Sequence, residues 1–255
     1  MPQSQVSERT LKLIVEYDGT DFCGYQAQSA GVRTVQTTLQ EAVQAVIPGP
    51  WTLYAAGRTD TGVHGVGQVV SFTARGSIPT ERLARALNGN LPRDVAVVRA
   101  TEESPGFHAR FSALSRTYVY LISTAPTRSA IWSRYSYHVP QPLDLAAMHS
   151  AAQSLIGIHD FAAYARTGGD PGPTTVRDLT QFRIRKVGRD KIAFVLTANG
   201  FLRSMVRNLT GAVLEVGLGK LAPTAPLEIL ETRDRILNPV PPLPPQGLCL
   251  LRVEY

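Results

Sequence analysis

The stretch from Ala55 to Gly65 sets one carboxylate, Asp60, among turn-forming residues. Arg58 precedes it, His64 follows it, and the glycines at positions 57 and 62 allow the chain to reverse. A carboxylate exposed in such a turn can act as a nucleophile or as a general base. The same residues can also form an ordinary Asx turn without a chemical role. Asp60 is therefore a candidate catalytic acid, and a simple turn is the alternative.

Two cations lie near the start of a helix that we predict over residues 202–216. At about 100° per residue, Arg203 and Arg207 share the face roughly opposite the apolar side chains. Positive charge at a helix start opposes the helix dipole, so an anionic ligand explains the placement better than helix stability does. A solvated surface pair is the alternative.

The segment Phe107-His108-Ala109-Arg110-Phe111, here called the aromatic segment, places two phenylalanines close to two potential cations. Rings that stack on bases, beside groups that bind phosphate, are what a splayed RNA strand requires. The alternative is a structural hinge whose phenylalanines belong to the core.

Tyr118 and Tyr120 point to the same side of a strand that we predict over residues 116–123. Tyrosine in a strand usually packs as half-buried sheet surface. Beside a cleft, Tyr118 could instead stack on a base and bring its hydroxyl toward a reacting sugar. Both interpretations stay open.

The charge permits a polyanionic partner without requiring one. The formal net charge is +6, from 26 lysines and arginines against 20 aspartates and glutamates. The basic residues cluster at Arg82, Arg85, Arg93 and Arg99, and again at Arg183, Arg185, Lys186, Arg189 and Lys191. Such clusters are also common on ordinary solvated surfaces, so a nucleic-acid partner stays one of two interpretations.

Cysteine and histidine spacing gives no sign of a metal site or of a nucleophile paired with histidine. Cys23 and Cys249 lie far apart, and no Cys-x-x-Cys, Ser-His-Asp or Cys-His pattern stands out. Two reduced thiols fit a cytoplasmic protein. Residues 1–10 are polar and typical of a frayed tail rather than a signal peptide, and no stretch approaches a membrane span.

Hydrophobic periodicity predicts the order β-α-β-β-α-β twice along the chain. In the first part we predict strands over 11–17, 51–56, 68–73 and 94–100, and helices over 35–47 and from Thr80, its expected N-cap, through Leu87. In the second part we predict strands over 116–123, 179–187, 191–198 and 247–255, and helices over 145–156, 202–216 and 225–235.

This repeated order predicts an α+β fold of two ferredoxin-like units with antiparallel sheets. The two units would flank a central, positively charged cleft, which Asp60 and residues from the second part would face. We place the domains at residues 1–108, which carry the carboxylate, and 109–255.

Two irregular stretches interrupt the pattern. Residues 168–173 are rich in glycine and proline, which is typical of a mobile surface loop. Residues 239–245 are rich in proline and too short to link domains, so we expect a rigid spacer that fixes the approach of the last strand. A ligand for an SH3-type domain is the alternative for this segment.

Several motifs in this order resemble those of the bacterial tRNA pseudouridine synthase A family, over nearly the whole chain. They are Tyr17-Asp18-Gly19-Thr20, Gly24-Tyr25-Gln26, Gly57-Arg58-Thr59-Asp60-Thr61-Gly62-Val63-His64, the aromatic segment, Arg116-Thr117-Tyr118, Phe201-Leu202-Arg203-Ser204-Met205-Val206-Arg207-Asn208 and Pro245-Gln246-Gly247-Leu248. The loop after Tyr164 departs from the pattern, because the family usually carries cysteine, glutamine or serine there. The departure concerns the RNA contacts of that loop and not the reaction.

The resemblance implies a homodimeric, cofactor-free enzyme that isomerises uridine to pseudouridine at positions 38, 39 and 40 of the tRNA anticodon stem-loop. It assigns Asp60 as the essential catalytic carboxylate and Arg203 as its basic partner. Arg58 would assist flipping of the target nucleotide, and Tyr118 would stack on the flipped base. The residues expected to contact tRNA are Phe107, His108, Ala109, Arg110, Phe111 and Arg207.

Two other classes of function are alternatives. A non-catalytic tRNA-binding or chaperone module would need only the arginines and aromatic residues, and Asp60 would be dispensable. A nucleoside glycosidase would also use one carboxylate, but it would release free uracil. Intact tRNA of unchanged mass that contains pseudouridine would exclude both.

Overall fold

The computed structural model describes residues 8–75, 78–166 and 174–255. The chain forms two compact units, one made of Met1–Leu114 with Leu250–Tyr255 and the other of Ser115–Cys249. This division places residues 109–114 and the end of the chain with the first unit. The predicted domains, 1–108 and 109–255, stay a prediction. The predicted α+β class is confirmed, because helices and mostly antiparallel strands make up both units.

Over its described residues, the first unit is an antiparallel sheet with two α-helices. Its elements are β1 (Glu8–Tyr17), α1 (Val35–Val46), β2 (Tyr54–Ala55), β3 (His64–Arg75), α2 (Thr80–Asn88), β4 (Val95–Glu103) and the part of β10 (Leu248–Glu254) that starts at Leu250. The strands lie in the order β4-β1-β3-β10, with the short β2 on β3.

One face of this sheet forms the core of the first unit. Strand alternation places Leu11, Leu13 and Val15 on one side of β1, where all three are fully buried. Helical spacing gives α1 and α2 an apolar side that belongs to the same core: Val35, Leu39, Val43, Leu83 and Leu87. Burial of each such side chain contributes about 1.5–3 kcal/mol relative to exposure, which fixes the sheet on its helices.

The two helices of this unit begin differently. Thr34 caps α1, since its hydroxyl accepts a hydrogen bond from the Thr37 N–H at 3.2 Å and the Thr37 hydroxyl accepts one from the Thr34 N–H at 3.3 Å. The predicted N-cap of α2 is wrong. Pro79 is the cap, without a side-chain hydrogen bond, and Thr80 is the first helical residue. The Thr80 hydroxyl accepts instead from Arg9 Nη1 at 3.3 Å.

The described part of the second unit is a sheet with three α-helices. Its elements are β5 (Ser115–Ser123), β6 (Tyr137–His138), α3 (Leu145–Ser154), β7 (Gly157–Asp160), β8 (Val176–Val187), β9 (Lys191–Ala198), α4 (Met205–Gly217) and α5 (Ala225–Thr232). The strand order is β5-β9-β8-β7, all antiparallel, and β6 pairs with β5 in parallel. Phe182, Phe194 and Leu196 are fully buried on one face, and α3 packs against β8 and α4.

Some predicted elements differ from the observed ones. The strand predicted over 51–56 shrinks to β2, because only Tyr54 and Ala55 pair with β3. The strands β6 and β7 were not predicted, since runs of two and four residues carry no clear period. The frayed tail predicted over 1–10 is wrong for Glu8 to Thr10, which belong to β1, while residues 1–7 and the predicted loop 168–173 lie outside the described residues.

The helix predicted over 202–216 begins three residues later than predicted. Ser204 has a left-handed backbone, with φ of 59°, and α4 begins only at Met205. Arg203 therefore precedes the helix, and the prediction that it shares a helical face with Arg207 is wrong. The helix predicted over 225–235 ends at Thr232, because Arg233 also takes a left-handed backbone, with φ of 54°. Of the helices that the structure describes, none has the length and apolar character needed to cross a membrane.

Candidate active site

Asp60 lies in residues 57–63 between β2 and β3, here called the Asp60 turn. The turn is pinned where it leaves β2, because the fully buried Gln68 donates its Nε2 hydrogen to the Gly57 carbonyl at 2.9 Å. It closes on itself through a hydrogen bond from the Val63 N–H to the Asp60 carbonyl at 3.1 Å. The backbone of Asp60 is thus held by its own turn and by β3.

Thr59 fixes the residue next to Asp60. Its hydroxyl lies 2.9 Å from the hydroxyl of Tyr17 at the end of β1, and both side chains are buried. Its carbonyl accepts a hydrogen bond from the Tyr25 N–H at 3.0 Å. Asp60 itself is half-buried, and Arg58 is exposed. Asp60 is thus accessible to a ligand, while the buried Thr59 beside it keeps its backbone in place.

Close backbone approach explains two glycines of the segment 17–26. Gly24 has φ of +90°, and a Cβ there would lie 3.0 Å from the Thr59 carbonyl oxygen. At Gly19 a Cβ would overlap the carbonyl of Val63. Only glycine allows both approaches. The two N-terminal motifs therefore form the platform on which the Asp60 turn rests.

His64 supports the same platform. Its ring is 5% exposed, and its Nδ1 lies 3.0 Å from the Gly19 nitrogen and 3.1 Å from Asp18 Oδ1. A neutral ring with its proton on Nε2 accepts the Gly19 N–H, whereas a proton on Nδ1 would be donated to Asp18. Either arrangement joins the start of β3 to the turn after β1.

Arg33 contacts the platform through Phe22, a role that no sequence pattern predicted. Its guanidinium carbon lies 4.0 Å from the centre of the Phe22 ring, and it makes two contacts of 2.9 Å with the Asp94 carboxylate. The hydrogen bond to Asp94 raises the pKa of Arg33. The Phe22 carbonyl accepts from the Gly62 N–H at 3.3 Å, so Arg33 reaches the Asp60 turn through Phe22.

Ala109 anchors the aromatic segment next to the Asp60 turn. It is fully buried and packs with Ala56 and Val69. Its N–H donates to the Ser71 hydroxyl at 2.9 Å, and its carbonyl accepts from the Tyr255 hydroxyl at 2.9 Å. The predicted contact of Ala109 with tRNA stays a prediction, since what the structure gives it is an anchoring position.

The two phenylalanines of the aromatic segment have different surroundings. Phe107 is half-buried, with its ring centre 4.8 Å from that of Tyr255 and 5.2 Å from Lys12 Nζ. Phe111 is 77% exposed. The alternative in which both phenylalanines belong to the core is therefore wrong for Phe111.

In the second unit, Phe201 contacts one predicted site residue, Tyr118, and precedes another, Arg203, by two positions. Tyr118 is 8% exposed, and its ring packs edge-on against that of Phe201 at 5.2 Å between centres. Arg203 follows two positions later with an exposed side chain, and its carbonyl accepts from the Arg166 N–H at 2.9 Å. The chain turns here through the left-handed Ser204.

Arg207 holds the proline-rich segment 239–245. Its Nε donates to the Leu243 carbonyl at 2.6 Å, and the Leu243 N–H donates back to the Arg207 carbonyl at 3.3 Å. The Tyr120 hydroxyl donates to the next carbonyl, that of Pro244, at 2.7 Å. Burial raises the pKa of Tyr120, and the charge of Arg207 opposes this in part. The segment is thus fastened to α4 and β5, as a rigid spacer requires.

The described residues offer no metal site built on acidic or thiol ligands. Within residues 8–75, 78–166 and 174–255, no group of three or more histidine, cysteine, aspartate or glutamate side chains is placed to hold an ion.

A family described as tRNA pseudouridine synthase matches residues 13–112 and 151–255, which include the Asp60 turn, its platform and α4. The chain belongs to the tRNA pseudouridine synthase family. The resemblance that the motifs indicate is confirmed. The matched ranges cover most of both compact units.

Three relatives show how far the likeness extends. The tRNA pseudouridine synthase A of Thermoanaerobacter sp. (strain X514) is 40% identical over 247 residues, which cover 97% of this chain and 100% of that protein. The protein of the same name from Geobacter sulfurreducens is also 40% identical, with the same coverage of 97% and 100%. That of Alcanivorax borkumensis is 42% identical over 245 residues, or 96% of this chain and 91% of that protein.

Proposed function

We propose that this chain isomerises uridine to pseudouridine at positions 38, 39 and 40 of the tRNA anticodon stem-loop, with Asp60 as the catalytic carboxylate. One observation carries the proposal: an accessible carboxylate stands in a turn pinned by Tyr17, Tyr25 and Gln68, in a chain of the tRNA pseudouridine synthase family. Relatives of nearly the same length bear the name tRNA pseudouridine synthase A.

The reaction needs little besides one carboxylate and an enclosed site. The bond between C1′ and N1 of uridine breaks, the uracil turns over, and a bond forms between C1′ and C5. The proton on C5 leaves, and N1 ends with a proton, so the tRNA keeps its composition. Because no electron acceptor or transferred group enters the balance, the chemistry is compatible with a site of carboxylate and arginines.

Asp60 has three roles open to it in this reaction. It can attack C1′, it can attack C6 of the base, or it can remove the proton from C5. In each role the ionised form acts, and an opposite charge nearby favours that form. Arg203 is the proposed basic partner, on the strength of the family motif and its exposed side chain.

The target base must leave its stack before any of these steps. Flipping costs a few kcal/mol, which contacts with the protein have to offset. Arg58 is the proposed flipping residue, because it is exposed two positions before Asp60. Tyr118 is proposed to stack on the flipped base, and its contact with Phe201 would fix the angle of its ring.

The fold and assembly that the family motifs imply complete the proposal. In the first unit the order β4-β1-β3, with β2 beside β3, is compatible with a ferredoxin-like βαββαβ unit. We propose two such units beside a positively charged cleft, a homodimer, and action in the cytoplasm on tRNA. Arg207 and the aromatic segment are the proposed further contacts with the RNA.

The test uses the purified chain and an unmodified tRNA transcript. Expected are pseudouridine at positions 38–40, an unchanged tRNA mass and no free uracil, measured by mass spectrometry of the intact RNA and of its nuclease fragments. Free uracil would instead indicate a glycosidase. Tight tRNA binding without any pseudouridine would indicate a binding module.

A further inference from the structure

Arg177 in β8 is a half-buried cation that has no carboxylate partner among the residues that the structure describes. Its Nη1 donates to the carbonyl of Thr174 at 2.8 Å and to that of Val176 at 2.6 Å. Because both hydrogen bonds leave from Nη1, the N–H groups of Nη2 and Nε have no acceptor in the described part of the chain. Burial lowers the pKa of Arg177.

The sheet neighbours of Arg177 do not supply a negative charge. The residue directly opposite on β7 is His159, whose Nε2 lies 3.2 Å from the Ile156 carbonyl. Asp178 is the next residue of β8, but strand alternation places its side chain on the other face of the sheet. Withdrawing a guanidinium from water without a counter-charge costs free energy. An anionic ligand would supply the counter-charge.

Gly200 leaves space beside this guanidinium. A Cβ at Gly200 would lie 3.4 Å from Arg177 Nε and 3.6 Å from its Cδ, and no other described atom would lie within 4 Å of it. Gly200 is held next to β8 by the preceding residue. The Asn199 N–H donates to the Asp178 carbonyl at 3.1 Å, and the Asp178 N–H donates to Asn199 Oδ1 at 3.0 Å. A ligand can therefore approach Nε where Gly200 lacks a side chain, directly before Phe201.

Arg177 lies on the same face of the second unit's sheet as Tyr118. Arg116 of β5 and Leu179 of β8 both pair with Ala198 of the strand between them, and paired residues share a face. Tyr118 lies two positions from Arg116, so alternation places it on that face. Arg177 lies two positions from Leu179 and shares the face for the same reason. A phosphate at Arg177 would therefore be on the side of the sheet where Tyr118 is proposed to hold the flipped base.

We propose that Arg177 binds a backbone phosphate of the tRNA through Nη2 and Nε, in the space beside Gly200. A guanidinium presents parallel N–H donors that match two oxygens of one phosphate. This contact helps to hold the RNA chain while the target base is out of its stack. The inference rests on the proposed function and adds to it a phosphate site that lies outside the family motifs.

The test measures the Kd of the intact protein for an unmodified tRNA transcript at several salt concentrations. Arg177→Gln is expected to weaken binding about tenfold at the lowest salt, as the loss of one charged hydrogen-bonding group does. It should also reduce the slope of log Kd against log salt by about 0.7–0.9, the value for one phosphate contact. Arg177→Lys keeps the charge and should keep the slope, but it lacks the parallel donors and should bind more weakly than the wild type.

Two further variants separate a phosphate contact from general effects of charge and stability. Arg235 is a matched control in the same unit, because its Nη1 and Nη2 donate to the carbonyls of Asn238 at 2.9 Å and Val240 at 3.4 Å. Arg235→Gln removes the same charge and should leave the slope unchanged. Gly200→Ala adds a methyl group beside Arg177 Nε at a backbone outside the left-handed region. It should be at least as stable as the wild type in urea, yet bind tRNA more weakly.

Three results would overturn the proposal. The first is an Arg177→Gln variant with the wild-type slope, which would make Arg177 only a structural donor to the carbonyls at the start of β8. The second is an equal change of slope in Arg235→Gln. The third is wild-type affinity in Gly200→Ala, since the ligand would then not reach Nε. Failure of the proposed function is distinct, because the wild type would then form no pseudouridine while the slope would still report the phosphate contact.

Discussion

The hydroxyl groups of Tyr17 and Thr59 lie 2.9 Å apart in the interior of the first unit, between residues 42 positions apart in the chain. This hydrogen bond joins the end of β1 to the residue before Asp60. The Tyr25 N–H holds the carbonyl of the same threonine at 3.0 Å. The position of the carboxylate is thus set by the segment that follows β1.

Tyr17→Phe removes this hydrogen bond and leaves the buried Thr59 hydroxyl without that partner. We expect the free energy of unfolding to fall by about 1–3 kcal/mol and kcat to fall with it, because Thr59 loses its anchor. Urea unfolding and initial rates of pseudouridine formation measure the two effects. Tyr54→Phe is the matched control, since its side chain is 45% exposed. An unchanged kcat for Tyr17→Phe would show that this hydrogen bond does not position Asp60.

Gly24 and Gly31 allow the effect of backbone strain to be separated from that of close contact. Their φ values are +90° and +86°, but a Cβ at Gly24 would lie 3.0 Å from the Thr59 carbonyl oxygen, whereas at Gly31 no described atom lies within 4 Å. Each alanine variant should lose about 1–2 kcal/mol of stability from the left-handed backbone. Only Gly24→Ala should also lower kcat, by displacing the peptide between Thr59 and Asp60. Equal rates for the two variants would contradict this.

Tyr25→Phe should change how stability depends on pH. The Tyr25 hydroxyl is buried, finds no hydrogen-bond partner among the described residues, and has a pKa raised by burial. In the unfolded chain the hydroxyl ionises near pH 10. Above that pH the folded state holds the extra proton, so stability falls as pH rises.

The phenylalanine variant lacks this contribution. It should match or exceed the wild-type stability at pH 8, and its stability should fall less steeply above pH 10, by up to about 1.4 kcal/mol per pH unit. Urea unfolding at pH 8 and pH 10.5 measures both slopes. Tyr120 and Tyr164, whose pKa values burial also raises, are present in both proteins and cancel. Identical slopes for the wild type and Tyr25→Phe would mean that Tyr25 ionises as easily in the folded state as in the unfolded state.

Arg58→Ala should slow conversion of tRNA while largely preserving its affinity. Arg58 is exposed and follows the pinned Gly57, so its loss should leave the Asp60 turn intact. A short oligonucleotide with an unpaired target uridine needs no flipping and serves as the control substrate. Single-turnover rates on both substrates are the measurement. An equal loss on the oligonucleotide would argue against a flipping role.

The regular elements of the chain could be predicted because the spacing of apolar residues in helices and strands is a local property of the sequence. The prediction for α1 is right within one residue, and the pair β8 and β9 lies where alternation placed it. The start of α4 could not be predicted in this way. The chain enters α4 through Ser204, which has a left-handed backbone. Serine rarely adopts this conformation, and only the tertiary structure imposes it.

The surroundings of the candidate site could be predicted only in part. Its motifs located Asp60, but the residues that hold it come from pairings across long sequence distances. Arg33 and Asp94 lie 61 positions apart, and neither belongs to a motif with chemical character. The contact of Tyr54 with His108 could not be predicted either, because a tyrosine in a short strand is expected to pack on the sheet and not to stack on a histidine. Such contacts follow from strand order, which local patterns do not specify.

Asp60→Asn, with a side chain of nearly equal size, tests most directly whether the carboxylate of Asp60 carries the isomerisation. The measurement is release of tritium from tRNA labelled at C5 of uridine, beside the Kd for the same tRNA. We expect the variant to bind tRNA within about twofold of the wild type, since the pinned turn is kept, and to release no tritium above background. Appreciable tritium release by Asp60→Asn would contradict the assignment of Asp60 as the catalytic residue.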